Sequence, residues 1–414
     1  MINLELAKFN NDELATREWR DVYPNGQALQ SADVLLTYVS PPQPIIHADP
    51  PNSKSRYGDR NPKIDYALNW FAQNLVRARF EGSQGRTIFI LKNTLISWAQ
   101  ANALSGNLGD SEMPNGIEYT VSVLILGIEN SISTIIPILN YQEKKIIGHW
   151  MDNLIKRVAN SRFGDTQKTF RASNGPYRQA LIVLLWALII DDDLAVQSVI
   201  DTYKTAIHDM RPDGTFVIDS NRGGMGLQYQ SVSTNNLIMI ASLIKFRYNI
   251  DLYKYSVNGR SIETAIEWVI KSISEMGKLN LIYARPCPNA GDRWGAVNAP
   301  SRGFVNHLHY LVVHARINKD SPNKNKILSQ WGYFFTHKYS DNEINGGSVI
   351  ALFAIKPIAE GGLDPESDKA ICTFALTADK SEFSKTYSFK KYVDKAKLKN
   401  LSPDICRNIL ESDQ

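Results

Sequence analysis

Three side chains suited to work on an anionic substrate lie next to predicted helix starts. Asn174 stands in SNGPYRQA, Ser173 to Ala180, just before Pro176; Arg222 and Tyr229 bracket the glycine-rich stretch NRGGMGLQY, Asn221 to Tyr229. An asparagine ahead of a first-turn proline caps a helix, and the same amide turned into a cleft donates to a carboxylate. An arginine in a glycine-flanked loop is commonly solvated, and a tyrosine opening a helix is commonly a half-buried anchor. Brought to one place the three mean more. The amide suits a carboxylate, and the guanidinium either joins it there or favours an ionised phenol able to act as a base. Gly223, Gly224 and Gly226 give the backbone the freedom to fold Arg222 back towards Tyr229.

Helices must carry these groups. From Pro62 onward apolar residues recur at three- and four-residue steps (Tyr66, Leu68, Trp70, Phe71, Leu75, Val76), with Asn61 placed to cap. The same reading predicts helices over roughly 88–104, 116–138, 142–160, 176–190, 193–210, 229–247, 260–276, 301–318 and 324–338. Their connections are mostly short, and no fixed-period repeat is present, so the helices are expected to pack as antiparallel neighbours in an all-α fold. The chain is expected to comprise an irregular N-terminal segment, residues 1–50, a helical domain over 51–365, and a polar helical C-terminal extension, 366–414. The Pro/Ser-rich stretch DPPNSKSRYGDRNP reads as a long loop at the start of the domain.

The 414 residues are 43% hydrophobic and 21% charged, which is ordinary globular composition. A net charge of +4 without basic blocks argues against a nucleic-acid partner. Cys287, Cys372 and Cys406 lie too far apart for a cysteine-rich metal site; one bridge is possible, and an odd count leaves one thiol over. No metal-ligand spacing is visible and no cofactor is called for. The start, MINLELAKFNNDEL, has no signal-like apolar run, so the chain is either intracellular or begins at a mature terminus. No uncharged apolar run reaches the length of a membrane span; ALIVLLWALII, Ala180 to Ile190, reads as a buried helix.

The order and spacing of Asn174, Arg222 and Tyr229 resemble the alginate lyases of polysaccharide lyase family 5 and their relatives. PDGTFVIDSNR resembles the family's stretch before the arginine, LISWAQANALSG its tryptophan-containing helix, NGGSVIALF its late Gly-Gly segment, and SKSRYGDRN its mobile lid. The resemblance covers roughly residues 50 to 355. It implies an α/α toroid, an incomplete barrel of antiparallel hairpins around a central cleft, and a monomer acting on an acidic polysaccharide in the periplasm or outside the cell. It implies catalytic roles for Asn174, Arg222 and Tyr229. Lys54, Arg56 and Tyr57 would close over the polymer, while Arg178, His307 and Trp294, with Arg171 and Arg293, would line the cleft. One departure stands out: Gly175 replaces the family's histidine after the asparagine. His307, His309 and His208 are the candidates to take its place.

Such a lyase removes the C5 proton of a uronate and expels the oxygen on C4. Neutralising the carboxylate stabilises the enolate-like transition state. Ionising a phenol of ordinary pKa near 10 at neutral pH takes roughly 4 kcal/mol, within reach of a close arginine and a cationic cleft. One tyrosine serves as base and then acid only where proton and leaving group share a face, as in β-mannuronate and β-glucuronate. Loss of the histidine therefore points to syn elimination. Two other readings remain: a non-catalytic polysaccharide-binding descendant, and an inverting glycoside hydrolase using acids among Asp191–Asp193, Asp213 or Asp219. These acids read more simply as turn residues.

Overall fold

A computed structural model of the chain describes residues 40–46, 62–81, 85–106, 114–160, 174–222, 226–274, 282–283, 309–327, 372 and 396–411. Two compact units are present. One comprises Met1–Ala206, Met239–Ile250 and Tyr339–Lys356, the other Ile207–Ile238, Asp251–Lys338 and Pro357–Gln414.

The described secondary structure of the first unit is all helical. Helices α1 (Pro62–Glu81), α2 (Arg86–Gln100), α3 (Pro114–Ile135), α4 (Tyr141–Ala159), α5 (Asn174–Ile190) and α6 (Asp193–Asp209, which ends beyond this unit) follow one another. Helix α1 begins at Pro62, as its periodicity predicts, and buries Ile64, Ala67, Leu68, Phe71, Leu75 and Ala78 along one stripe. Helix α3 packs on α1, α2 and α5; α2 also packs on α1 and α4, and α4 on α5. Helices α1, α3 and α5 thus form one row and α2 and α4 a second, the arrangement of successive hairpins laid side by side. Membership of the first row explains why the described parts of α3 and α5 are apolar on nearly every face.

Polar detail fixes the register. Trp98 stacks edge-on with Phe71, ring centres 5.3 Å apart, and donates its indole N–H to Pro42 O at 2.9 Å, tying down the segment 40–46. Trp150 and Arg157 on α4 donate to Ala103 O (2.7 Å) and Leu104 O (3.0 Å), gripping the turn after α2. Asn140 and Glu143 form a capping box at the start of α4. The window Val121–Ile138 is long and apolar enough to cross a membrane, but 78% of it is buried within the protein and it contains Glu129.

In the second unit, α7 (Val217–Ser220) precedes α8 (Gly226–Tyr248), whose residues through Ile238 belong here. A hairpin follows, β1 (Ser256–Val257) pairing with β2 (Arg260–Ser261) in Ser256↔Ser261 register. Its turn is Asn258-Gly259, both at positive φ (50° and 74°), the pairing a two-residue hairpin favours. The hairpin displaces the expected helix start near 260, and α9 runs Ile262–Ser274. Helices α10 (His309–Ile317) and α11 (Pro403–Glu411) complete the described α-helices. Glu263 on α9 accepts from Asn318 (2.9 Å), Ser321 (2.9 Å) and Asn323 (3.0 Å), and lies 2.9 Å from buried His314 Nε2. Cys372 and Cys406 form the one disulfide among the described residues. Cys287 lies outside them.

Candidate functional site

Arg222 and Tyr229 meet. The Arg222 guanidinium lies over the Tyr229 ring, 3.6 Å from its centre, and both side chains are half-buried. At that separation a cation sits against the negative face of the ring. Tyr229 does not open its helix: α8 starts at Gly226, so Tyr229 stands in the fourth position. Arg222 lies in the turn after α7, its N–H donating to Asp219 O at 3.3 Å. Gly223 and Gly224 lie outside the described residues.

The turn before α7 is fixed by its own polar contacts and by close packing on α9. Gly214 N–H donates to Arg211 O at 3.0 Å, closing the turn, and Gly214 takes φ +91°. A Cβ there would stand 2.3 Å from Thr264 O, so only glycine fits against the first turn of α9. Asp213 accepts from the Thr215 N–H (3.1 Å) and hydroxyl (2.8 Å) and from the Tyr283 hydroxyl (2.7 Å). The hydrogen bond to Asp213 pushes the Tyr283 phenol up, which makes Tyr283 a poor base despite Arg211 lying 4.1 Å from its ring centre. The stretch QSVSTNN, Gln230–Asn236, is polar in sequence yet buried throughout. A polar run covering every face of a helix is the signal that these groups bond to protein, and Gln230 and Ser233 do so.

Asn174 is the first residue of α5 and is 7% exposed; Gly175 beside it is buried. Asn174 therefore stands inside the helix and not ahead of it as the cap its sequence context suggests. Arg178 follows one turn later, its side chain fully buried. Both belong to the first unit, whereas Arg222 and Tyr229 belong to the second. His208 is exposed, with Nδ1 2.9 Å from Asp209 Oδ1. His309 begins α10. Lys54, Arg56, Tyr57, Arg171, Arg293, Trp294 and His307, with the expected lid up to residue 61, lie outside the described residues.

The acids considered for hydrolysis have structural partners. Asp191 takes φ +59° in the turn between α5 and α6, and Asp192 accepts from the Ala195 N–H at 3.0 Å, as an N-cap does. Asp219 is buried and accepts from the Ser233 hydroxyl.

Residues 93–278, which include Asn174, Arg222 and Tyr229, match the family model described as alginate lyase. A polysaccharide lyase of Stenotrophomonas maltophilia (strain K279a) is 31% identical over 108 residues. That match covers 26% of this chain and 32% of the relative, so the chain spans about a third of that curated protein's length. Among solved structures, the fold is similar to alginate lyase A1-III of Sphingomonas species A1 (TM-score 0.55, 21% identity, 73% of this chain and 87% of that one). A histidine-to-alanine variant of alginate lyase A1-III, complexed with tetrasaccharide, gives a TM-score of 0.59 at 20% identity, covering 78% of this chain and 87% of the other. At such identities the likeness shows the fold, all-α and of the α/α-toroid type. The family resemblance and fold class expected from the sequence are borne out.

Proposed function

We propose that this chain is a polysaccharide lyase of the alginate lyase type, cleaving a β-mannuronate- or β-glucuronate-containing polymer by syn β-elimination. The observation that carries the reading is Arg222 over the ring of Tyr229, within the segment that matches the family. A cation this close to the ring favours the charged phenolate over the neutral phenol. The Tyr229 phenolate takes the C5 proton. The electrons left on C5 form the C4=C5 double bond, the C4–O bond breaks, and the phenol returns its proton to the departing oxygen. Asn174 is assigned as amide donor to the sugar carboxylate, a role that rests on the sequence resemblance and is tested by Asn174→Ala.

The Cys372–Cys406 disulfide supports a periplasmic or extracellular setting, because such bridges persist in oxidising compartments. Recovery of the native protein from the cytosol with both thiols reduced would contradict that placement. Substrate is decided by following near-ultraviolet absorbance over poly-β-mannuronate, glucuronan, poly-guluronate and polygalacturonate. Absorbance is expected to rise on one or both of the first two. A rise confined to the last two would overturn syn elimination, since their proton and leaving group lie on opposite faces.

A further inference from the structure

We propose that Gln230 is a positioning residue for this elimination, its amide holding the segment that carries Arg222 against the first turns of α8, so that the guanidinium stays over Tyr229. The proposal rests on the reading of Tyr229 as the base.

Gln230 follows Tyr229 directly and is fully buried. Both ends of its amide engage backbone of the turn before α7. Oε1 accepts from the Phe216 N–H at 2.8 Å, and Nε2 donates to Gly214 O at 2.8 Å. A side-chain amide used this way copies a peptide-to-peptide pairing and fixes the segment in two directions at once. One turn along α8, Ser233 donates to Asp219, which adds a second anchor on the same segment.

The clamp is connected to Arg222 without a gap. Ser220 donates its N–H (3.0 Å) and its hydroxyl (2.7 Å) to Phe216 O. Arg211 donates to Thr215 Oγ1 at 3.2 Å, Ser220 Oγ at 2.6 Å and Asn221 Oδ1 at 3.2 Å. Asn221 is the residue before Arg222. The lateral placement of Arg222 is therefore set by Gln230 and Ser233, which stand on the helix that carries the ring beneath it. A misplacement of about 1 Å in a catalytic group costs on the order of 10²-fold in rate, so this brace matters even though neither residue need touch substrate.

The test uses the full chain in three forms: wild type, Gln230→Glu and Ser233→Ala. Gln230→Glu keeps the acceptor for Phe216 N–H and loses the donor to Gly214 O. Ser233→Ala is the milder change and guards against a misfolded Gln230 variant. With poly-β-mannuronate as probe, the acid limb of kcat/KM is expected to move to higher pH in both. At neutral pH kcat should fall roughly tenfold to a hundredfold with KM within about twofold. A merely structural role would lower the rate equally at every pH and leave the limb in place, which would overturn the proposal. The titration of Tyr229 by ¹³Cζ-tyrosine NMR, assigned with Tyr229→Phe, gives a second reading that needs no substrate. Tyr229 should ionise at higher pH in the Gln230 and Ser233 variants than in wild type, and an unchanged titration overturns the positioning role. If instead Tyr229→Phe retains full rate while the titration moves as expected, the assignment of Tyr229 as base fails and the clamp stands.

Discussion

The guanidinium of Arg222 lies over the ring of Tyr229, 3.6 Å from its centre, although six residues separate the two in sequence. An arginine serves here because its charge is spread over a plane that stacks, whereas lysine carries a compact, strongly hydrated charge. Arg222→Ala is expected to lower kcat/KM by about 10² to 10³-fold, in the range of losing one electrostatic stabiliser of a transition state. Arg222→Lys should recover only part of that. Initial rates of near-ultraviolet product formation check both, and an alanine variant within twofold of wild type would remove Arg222 from the mechanism.

Glu263 predicts how the second unit responds to acid. Burial opposes its ionisation, but the hydrogen bond and charge of His314, with hydrogen bonds from Asn323 and Ser321, outweigh it and hold the carboxyl below its ordinary value of 4.5. A carboxyl with a depressed folded-state pKa contributes stability that is complete above about pH 4.5 and is lost as pH falls through the folded value. Glu263→Gln should therefore lower Tm at neutral pH, by an amount equivalent to about 1–3 kcal/mol, and flatten the acid side of the Tm–pH curve. An unchanged acid limb would show that this cluster does not govern acid unfolding.

The helices were legible because their apolar spacing is local: Pro62 starts α1, and the run Ala180–Ile190 is a buried helix. Turn chemistry was legible too, since Asp192 and Asp213-Gly214 cap and turn as their residue types suggest. What spacing could not show was how distant polar groups are used. The Glu263 cluster joins residues 51 to 60 positions apart, and Gln230 reaches back to Gly214 and Phe216. The helix expected from about 260 begins at Ile262, because Asn258-Gly259 closes a hairpin just before it. The Arg222–Tyr229 pairing was anticipated from glycine content and family resemblance, but its face-on geometry was not.

Glu129 is the opposite case to Glu263. It is fully buried in α3, neither carboxyl oxygen has a hydrogen-bond partner among the described residues, and burial pushes its pKa well above 4.5. Such a group favours the folded state most below about pH 4.5, and that advantage is lost as pH rises through the folded value. Glu129→Gln is expected to raise Tm at pH 7 to 8 and to leave Tm nearly unchanged below pH 4.5. Thermal scans across that range decide it; a variant less stable at pH 8 than at pH 4.5 by the same margin as wild type would show that the carboxyl is not the cause.

The most direct measurement compares Tyr229→Phe with wild type, using the polymer on which the wild-type chain produces near-ultraviolet absorbance. The substitution removes one oxygen and leaves the ring beneath Arg222 in place. The expected result is a loss of at least about 10³-fold in kcat with polymer binding retained, as for removal of a group acting as both base and acid. A phenylalanine variant that forms the unsaturated product at near the wild-type rate would contradict the account.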